Sequence, residues 1–206
     1  MAERYTSALP VGIGPTPKAQ QSPMPATTPL LRPATPDDAL CLGVLGLQVF
    51  LDTYATGGIR PTLAREVLAQ FSTDAMHQLI ARPNGWLCVA EVDAHLVGFA
   101  QMAFGVPQAL LQAARPAELE RLYVQEPFTR QGIGSALIRR CEQDAAASGA
   151  DVLWLSPWVH NARALAFYAQ HGYQDLGATW YAFEAERHEN RVLVKPLAAR
   201  TASPAP

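Results

Sequence analysis

The spacing of apolar positions changes period several times along the chain, and each change marks an element. Leu31 to Ala34 is a short apolar stretch that predicts a strand. Thr35-Pro36-Asp37-Asp38 then gives a turn and a helix start, with a capping Thr, Pro at the first helical position and acids in the first turn. The helix that follows is expected to bury Leu40, Val44, Leu47 and Leu51 on one face. Gly57, Gly58 and Pro61 punctuate the chain before two further helices, at about Leu63 to Phe71 and Asp74 to Ala81. The period then shortens to two. Trp86 to Glu91 and Leu96 to Met102 are apolar runs joined by the turn Val92 to His95, which reads as a hairpin. A strand over Glu118 to Val124 follows, in which strict alternation puts Glu118, Glu120, Leu122 and Val124 on one face. Helical spacing returns at Leu137, Ile138, Cys141 and Ala145 and stops at Gly149, placed for a left-handed cap. A strand at Val152 to Leu155, a helix from Ala162 to His171 and a β-rich region from about Thr179 to Leu197 complete a mixed α/β sheet.

The two ends lack any such period. Ala8 to Pro29 holds Pro10, Pro15, Pro17, Pro23, Pro25 and Pro29 among small polar residues, so residues 1–29 are expected to form a disordered, Pro-rich arm. Residues 198–206 are expected to be a similar tail, leaving one domain over residues 30–197. With 206 residues and 49% hydrophobic content the chain can bury one full core. A formal net charge of −2 gives no bulk attraction to nucleic acid or to an anionic membrane, and neither partner is expected. Cys41, Cys88 and Cys141 are odd in number and form no C-x-x-C pair, which fits a reducing cytoplasm. No apolar run approaches the roughly 20 residues of a membrane span.

One stretch carries a chemical suggestion. Thr129-Arg130-Gln131-Gly132-Ile133-Gly134-Ser135 lies between a predicted strand and a predicted helix. The first amides of a helix have no intrahelical acceptor and its N-terminus is partially positive, so glycines here admit an anion to the backbone. A dinucleotide-binding G-x-G-x-x-G would need glycine where Leu137 stands, and the Gly-Lys-Ser/Thr of a Walker loop occurs nowhere. A packing turn explains the same glycines equally well. His77, His95, His160, His171 and His188 have no metal-ligand spacing, so no metal is expected; G-x-S-x-G is absent, and Cys141 sits on the apolar stripe of its helix.

Several motifs in order resolve that choice. Glu120-Arg121-Leu122-Tyr123-Val124 followed by Arg130-Gln131-Gly132-Ile133-Gly134-Ser135-Ala136-Leu137 resembles the acetyl-CoA-binding core of the GNAT N-acetyltransferase family. Leu153-Trp154-Leu155, His160-Asn161-Ala162-Arg163-Ala164 and Phe167-Tyr168 through Gly172-Tyr173 are similar to the family's later motif. Leu31-Arg32-Pro33-Ala34 and Val192 to Leu197 resemble its first and last strands, so the resemblance covers about residues 30–197. It implies a mixed, mostly antiparallel central sheet flanked by helices, and acetyl-CoA as co-substrate. The family usually has Arg or Gln three positions before the first glycine, where this chain has Thr129 beside Arg130. A cradle built mainly of backbone amides tolerates that departure.

The resemblance also implies roles. Thr129, Arg130, Gln131, Gly132, Ile133, Gly134 and Ser135 would surround the pyrophosphate, while Leu122, Tyr123 and Val124 would pair their backbone with the pantetheine arm as an added strand. Asn161 and Tyr168, seven residues apart, would share a helix face, with Asn161 on the cofactor and Tyr168 protonating the departing thiolate. An acceptor ammonium, with a pKa of roughly 10.4, must lose a proton before it attacks, and Glu120 and Glu118 are the candidate bases, against an alternative role as structural ion-pair partners of Arg121 or Arg163. Phe50, Tyr54, Trp158 and His160 are the candidate acceptor-binding residues. Asp52, Glu118 and Glu120 would suit a cationic small-molecule amine such as a polyamine. A protein N-terminal or lysine acetyltransferase, or a non-catalytic acyl-CoA sensor, are the alternative functions. A homodimer is compatible with the size.

Overall fold

The computed structural model describes residues 28–183 and 186–198. The expected Pro-rich arm and C-terminal tail, residues 1–27 and 199–206 in their greater part, lie outside the described residues. In chain order the elements are β1 (Leu30–Pro33), a 3-10 turn (Pro36–Asp38), α1 (Ala39–Tyr54), α2 (Pro61–Gln70), α3 (Thr73–Ile80), β2 (Gly85–Val92) and β3 (His95–Phe104). Then come β4 (Pro116–Val124), a second 3-10 turn (Glu126–Phe128), α4 (Ile133–Ala147), β5 (Val152–Leu155), α5 (Ala162–Gln170), β6 (Gln174–Phe183) and β7 (Glu186–Pro196). The seven strands form one sheet in the order β1-β2-β3-β4-β5-β7-β6, in which only β4 and β5 are parallel. The expected mixed, mostly antiparallel sheet is present, and the β-rich region at the end consists of two strands.

Helices cover both faces. On one, α4 and α5 bury Ile133, Leu137, Ile138, Cys141, Ala145 and Tyr168 against Ala100, Met102, Ala117 and Leu119. On the other, α1 to α3 bury Leu42, Leu45, Val67, Phe71 and Met76 against Leu87, Val89 and Phe99. The buried stripe of α4 is the one its sequence predicts, and Gly149 caps its end with φ +85°.

Two expectations about faces are corrected. In α1 the buried residues are Ala39, Leu42, Gly43, Leu45 and Gly46, while Leu40 and Val44 are 63% and 62% exposed. The cause is the glycine pair: a Cβ on Gly43 would lie 2.4 Å from the Phe71 carbonyl oxygen, and one on Gly46 would lie 2.5 Å from the Phe71 ring. The helix therefore turns its smallest side chains, not its largest, toward Phe71, and close backbone approach outweighs burial of two branched side chains. In β4 the expected alternation breaks at Glu120. Arg121 pairs with Gln101 and Leu119 with the next residue, Met102, so Glu120 is the extra residue of a bulge. Past the bulge the sides exchange: Leu122 and Val124 join Ala117 and Leu119 on the α4 side, and Glu118 does not share their face.

The start of the domain is fixed by one carboxylate. Asp38 accepts from the Thr35 amide at 2.7 Å and hydroxyl at 3.0 Å, and pairs with both terminal nitrogens of Arg32 at 2.7 and 2.8 Å. Arg32 also reaches Glu91 on β2. The predicted capping signal thus works through a 3-10 turn that ties β1 and β2 to the entry of α1. The Arg32 guanidinium, and then the Thr35 donors, hold the Asp38 carboxyl down at about 2. Its folded value lies below its unfolded one, so its stabilisation is present above the ordinary carboxylate range and is lost as pH falls toward 2. Asp38→Asn is expected to lower stability at pH 7 by about 2 kcal/mol and to flatten the acid limb of a stability-versus-pH curve measured by urea denaturation.

Candidate active site

The site follows from where strand pairing stops. β4 and β5 are in register only at Pro116↔Val152, Ala117↔Leu153 and Glu118↔Trp154. Beyond that point β4 continues to Val124 beside β3 alone, while β5 ends at Leu155 and pairs with β7 on its other side. One edge of β4 from Leu119 to Val124 is therefore unpaired among the described strands, and two chain segments leave the sheet around the opening. One leads through Glu126–Phe128 to α4, the other to Asn161 and α5.

The loop into α4 is shaped for an anion. Thr129 bonds back to the Glu126 carbonyl through its amide at 3.1 Å and its hydroxyl at 2.9 Å, and the Gln131 side chain donates to the Pro127 carbonyl at 2.9 Å. Arg130 and Gly132 then both take positive φ, +60° and +85°. This turn leaves the amides from Arg130 to Ser135 without backbone acceptors among the described residues, while the Gly132 carbonyl already receives Ala136 at 2.9 Å. The two glycines differ in purpose. Gly132 needs its left-handed conformation and a Cβ there would meet nothing within 4 Å, so the space beside it is open. At Gly134 a Cβ would touch Phe167 at 3.4 Å, so its small size brings α4 against α5. The Ser135 hydroxyl lies 3.0 Å from His171 Nε2, while His171 Nδ1 lies 2.8 Å from the Phe167 carbonyl, a second tie between the two helices.

An extended strand edge leading to a cradle of free amides fits the amide-bearing arm and pyrophosphate of coenzyme A. Two further expected residues stand by it. Asn161 is the N-cap of α5, its Oδ1 accepting from the Ala164 amide at 3.0 Å. It therefore precedes the helix and does not share a helical face with Tyr168, and its side-chain NH2 is left to donate. Tyr168 is 7% exposed and packs edge-on to Phe167 and Tyr173. Burial, before any neighbouring charge, pushes its phenol well above the ordinary range, so it stays protonated at neutral pH.

The opposite face carries the carboxylates. Glu120 receives Arg82 Nη1 at 2.9 and 3.0 Å and the Gln101 side-chain amide, and Gln101 Oε1 in turn accepts from Arg121 at 2.6 Å. The expected partner of Glu120, Arg121, is thus reached only through Gln101, and Arg163 instead pairs with Glu126 at 2.7 Å. Neither Arg82, 38 residues away from Glu120, nor Phe71 stands out in the sequence. Gln101 does: it is the lone polar side chain in a strand that is apolar from Leu96 onward, and it is buried at 4% exposure. Glu118 has no hydrogen-bond partner among the described residues. Burial pushes its carboxyl up to about 7, Glu120 adds to the rise and Arg82 opposes it.

Phe50, Tyr54, Trp158 and His160 come together as a chain of rings, with centroids 4.7, 5.9 and 5.0 Å apart in succession. Phe50 continues it to Phe71, 5.8 Å away. Asp52 is exposed and lies about 200° around α1 from Phe50 by helical geometry, away from this row. No group of three His, Cys, Asp or Glu that could hold a metal occurs among the described residues.

Comparison with known proteins gives the same picture. The model of the acetyltransferase (GNAT) family matches residues 57–173. An uncharacterised N-acetyltransferase of Lactobacillus delbrueckii subsp. lactis is 25% identical over 150 residues, covering 73% of this chain and 87% of that protein. An uncharacterised N-acetyltransferase of Mycobacterium tuberculosis is 28% identical over 142 residues, covering 66% and 86%. Among solved structures, the PaiA N-acetyltransferase of Thermoplasma acidophilum in complex with coenzyme A superposes with a TM-score of 0.64 at 19% identity, covering 82% of this chain and 99% of that one. With a family match over more than half its length, the chain belongs to the GNAT family of acetyl-CoA-dependent N-acetyltransferases.

Proposed function

We propose that the protein moves the acetyl group of acetyl-CoA to a primary amine of a small molecule, by direct attack within a ternary complex, with Glu118 as the proton acceptor. The observation that carries this is Glu118 itself: half-buried, unbonded, and on the face that also bears the aromatic row. A carboxyl titrating near 7 is matched to neutral-pH proton transfer, whereas Glu120, clamped by Arg82 and Gln101, has its lone pairs engaged. Glu120 then acts through electrostatics, by raising its neighbour.

Acetyl-CoA supplies the acyl group. Loop amides from Arg130 to Ser135 hold its phosphates, and the Leu122 to Val124 edge and the Asn161 amide hold its arm. Glu118, as the carboxylate, takes a proton from the acceptor ammonium, so that the nitrogen lone pair can form the bond to the acetyl carbon. As the carbon–sulfur bond breaks, Tyr168 gives its phenolic proton to the sulfur, the new amide nitrogen gives up its second excess proton to solvent, and solvent in turn reprotonates the phenol and receives the proton held by Glu118. An amide of the β4 edge is placed to polarise the acetyl oxygen. The aromatic row of Phe50, Tyr54, Trp158 and His160 forms the acceptor wall. Asp52 faces away from it and Glu120 is neutralised by Arg82, so the proposal does not extend to polyamines. Three free cysteines support a reducing, cytoplasmic setting.

Thiol release from acetyl-CoA across a panel of amines, amino acids and short peptides tests this. For an accepted amine, kcat/KM should rise with pH through an apparent pKa near 7, because the active form of Glu118 is the ionised one. Glu118→Gln should remove that limb and lower kcat by ~100-fold or more. An unchanged limb in Glu118→Gln, or its loss only in Glu120→Gln, would reject Glu118 as the base.

Tyr168→Phe should lower kcat by ~100-fold with little change in acetyl-CoA binding. A parallel loss of thermal stability and turnover would instead mark Tyr168 as a packing residue. Gly132→Ala places a Cβ on a left-handed residue and should raise the KM for acetyl-CoA roughly tenfold. Gly134→Ala should act mainly on stability, read as a lower Tm with KM near that of the wild type.

A further inference from the structure

The proposed acceptor side of the sheet carries a cation that no described carboxylate neutralises. Arg32, Arg82, Arg140, Arg163, Arg191 and Lys195 all pair with an acid. Arg121 is half-buried, yet no described carboxylate lies within ion-pair distance of it. Its position is closely fixed all the same. One terminal nitrogen donates to Gln101 Oε1 at 2.6 Å, and the guanidinium stacks over Phe71 at 5.2 Å from the ring centroid. Gln101 is oriented by Glu120, and Glu120 by two contacts from Arg82. The relay Arg82–Glu120–Gln101–Arg121 thus uses one carboxylate to neutralise the outer arginine and an amide to hold the inner one, whose charge is left uncancelled.

Partial burial of an unpaired cation is unfavourable, and the groups that hold it in place, the Tyr123 side chain among them through a hydrogen bond, engage only part of the guanidinium fork and leave its other N–H donors for a planar anion. The pyrophosphate is not that anion. The amide cradle opens at the N-terminus of α4, on the far side of the sheet from Phe71 and Gln101. Arg121 instead meets the aromatic row at Phe71, which continues through Phe50 and Tyr54 to Trp158, and Glu118 lies three residues away on the same strand.

We propose that Arg121 binds a carboxylate carried by the acceptor, so that the acceptors are amino acids or similar acids bearing a primary amine. Arg121 is then the residue that sets specificity, with Gln101, Glu120 and Arg82 positioning it. This rests on the N-acetyltransferase activity of the same site.

The test is a comparison of matched acceptors that differ only in the carboxylate: phenylalanine with phenethylamine, and 4-aminobutyrate with butylamine, assayed by thiol release at saturating acetyl-CoA. The wild-type enzyme should show the higher kcat/KM for the acid of at least one pair. In Arg121→Gln the ratio of acid to amine should fall at least ~10-fold, with Arg121→Lys intermediate because it keeps the charge and loses the fork. A merely structural role would lower both members of a pair together and leave the ratio unchanged. That result, or a wild-type preference for the carboxylate-free amine in both pairs, would overturn the assignment while leaving the acetyltransferase intact. Acetyl-CoA binding, seen as a ligand-induced rise in Tm, without turnover of any acceptor would overturn the assignment and the activity on which it rests. If Arg121→Gln fails to fold, the wild-type ratio and that of Arg121→Lys decide.

Discussion

The architecture depends on a pairing that ends early. β4 and β5 share three register pairs and no more, although β4 runs on for six further residues. A parallel pair that separates leaves backbone amides and carbonyls unpaired in the middle of a sheet, which is costly unless water or a ligand meets them. The two helices that follow these strands hold the edges apart. Gly134 lets α4 sit against Phe167 of α5, and the Ser135–His171 contact ties the same helices at a second point. The opening is therefore a rigid feature of the fold rather than a loose end of it.

Its two faces are given different chemistry by a single inserted residue. Without the bulge at Glu120, the strand would carry Glu118, Glu120, Leu122 and Val124 on one side and would mix carboxylates into the α4 core. With it, the apolar pair Leu122 and Val124 joins Ala117 and Leu119, and Glu118 lies on the opposite face, the proposed acceptor side, with the relay from Arg82 to Arg121. The bulge also places two carboxylates near one another, of which one is fully bonded. Burial, with the repulsion from that neighbour added to it, is what moves Glu118 into the neutral range.

Most of the frame was legible in the sequence. The hairpin of β2 and β3, the buried stripe of α4, the cap at Gly149, strand β5 and the loop at Gly132 follow from local period and turn chemistry, which act over a few residues. What failed were statements that needed a distant partner. The buried face of α1 is set by Phe71, which requires glycine at 43 and 46, and period alone favoured the larger Leu40 and Val44. The bulge arises from the register with β3, which alternation in β4 cannot reveal. Among the site residues, the four expected acceptor-side rings do come together, while Arg82 and Phe71 carry no local mark. The lone side-chain amide of Gln101 inside an apolar run was a visible sign of a buried polar network.

In the proposed binding mode coenzyme A occupies the gap between β4 and β5 with its phosphates on the amides that open α4. Amide hydrogen exchange of the protein with and without acetyl-CoA measures this directly. Protection should appear at Leu122 and Val124, whose amides face away from β3, and at Arg130 to Ser135. Saturable acetyl-CoA binding that protects other segments and leaves these two unchanged would contradict it.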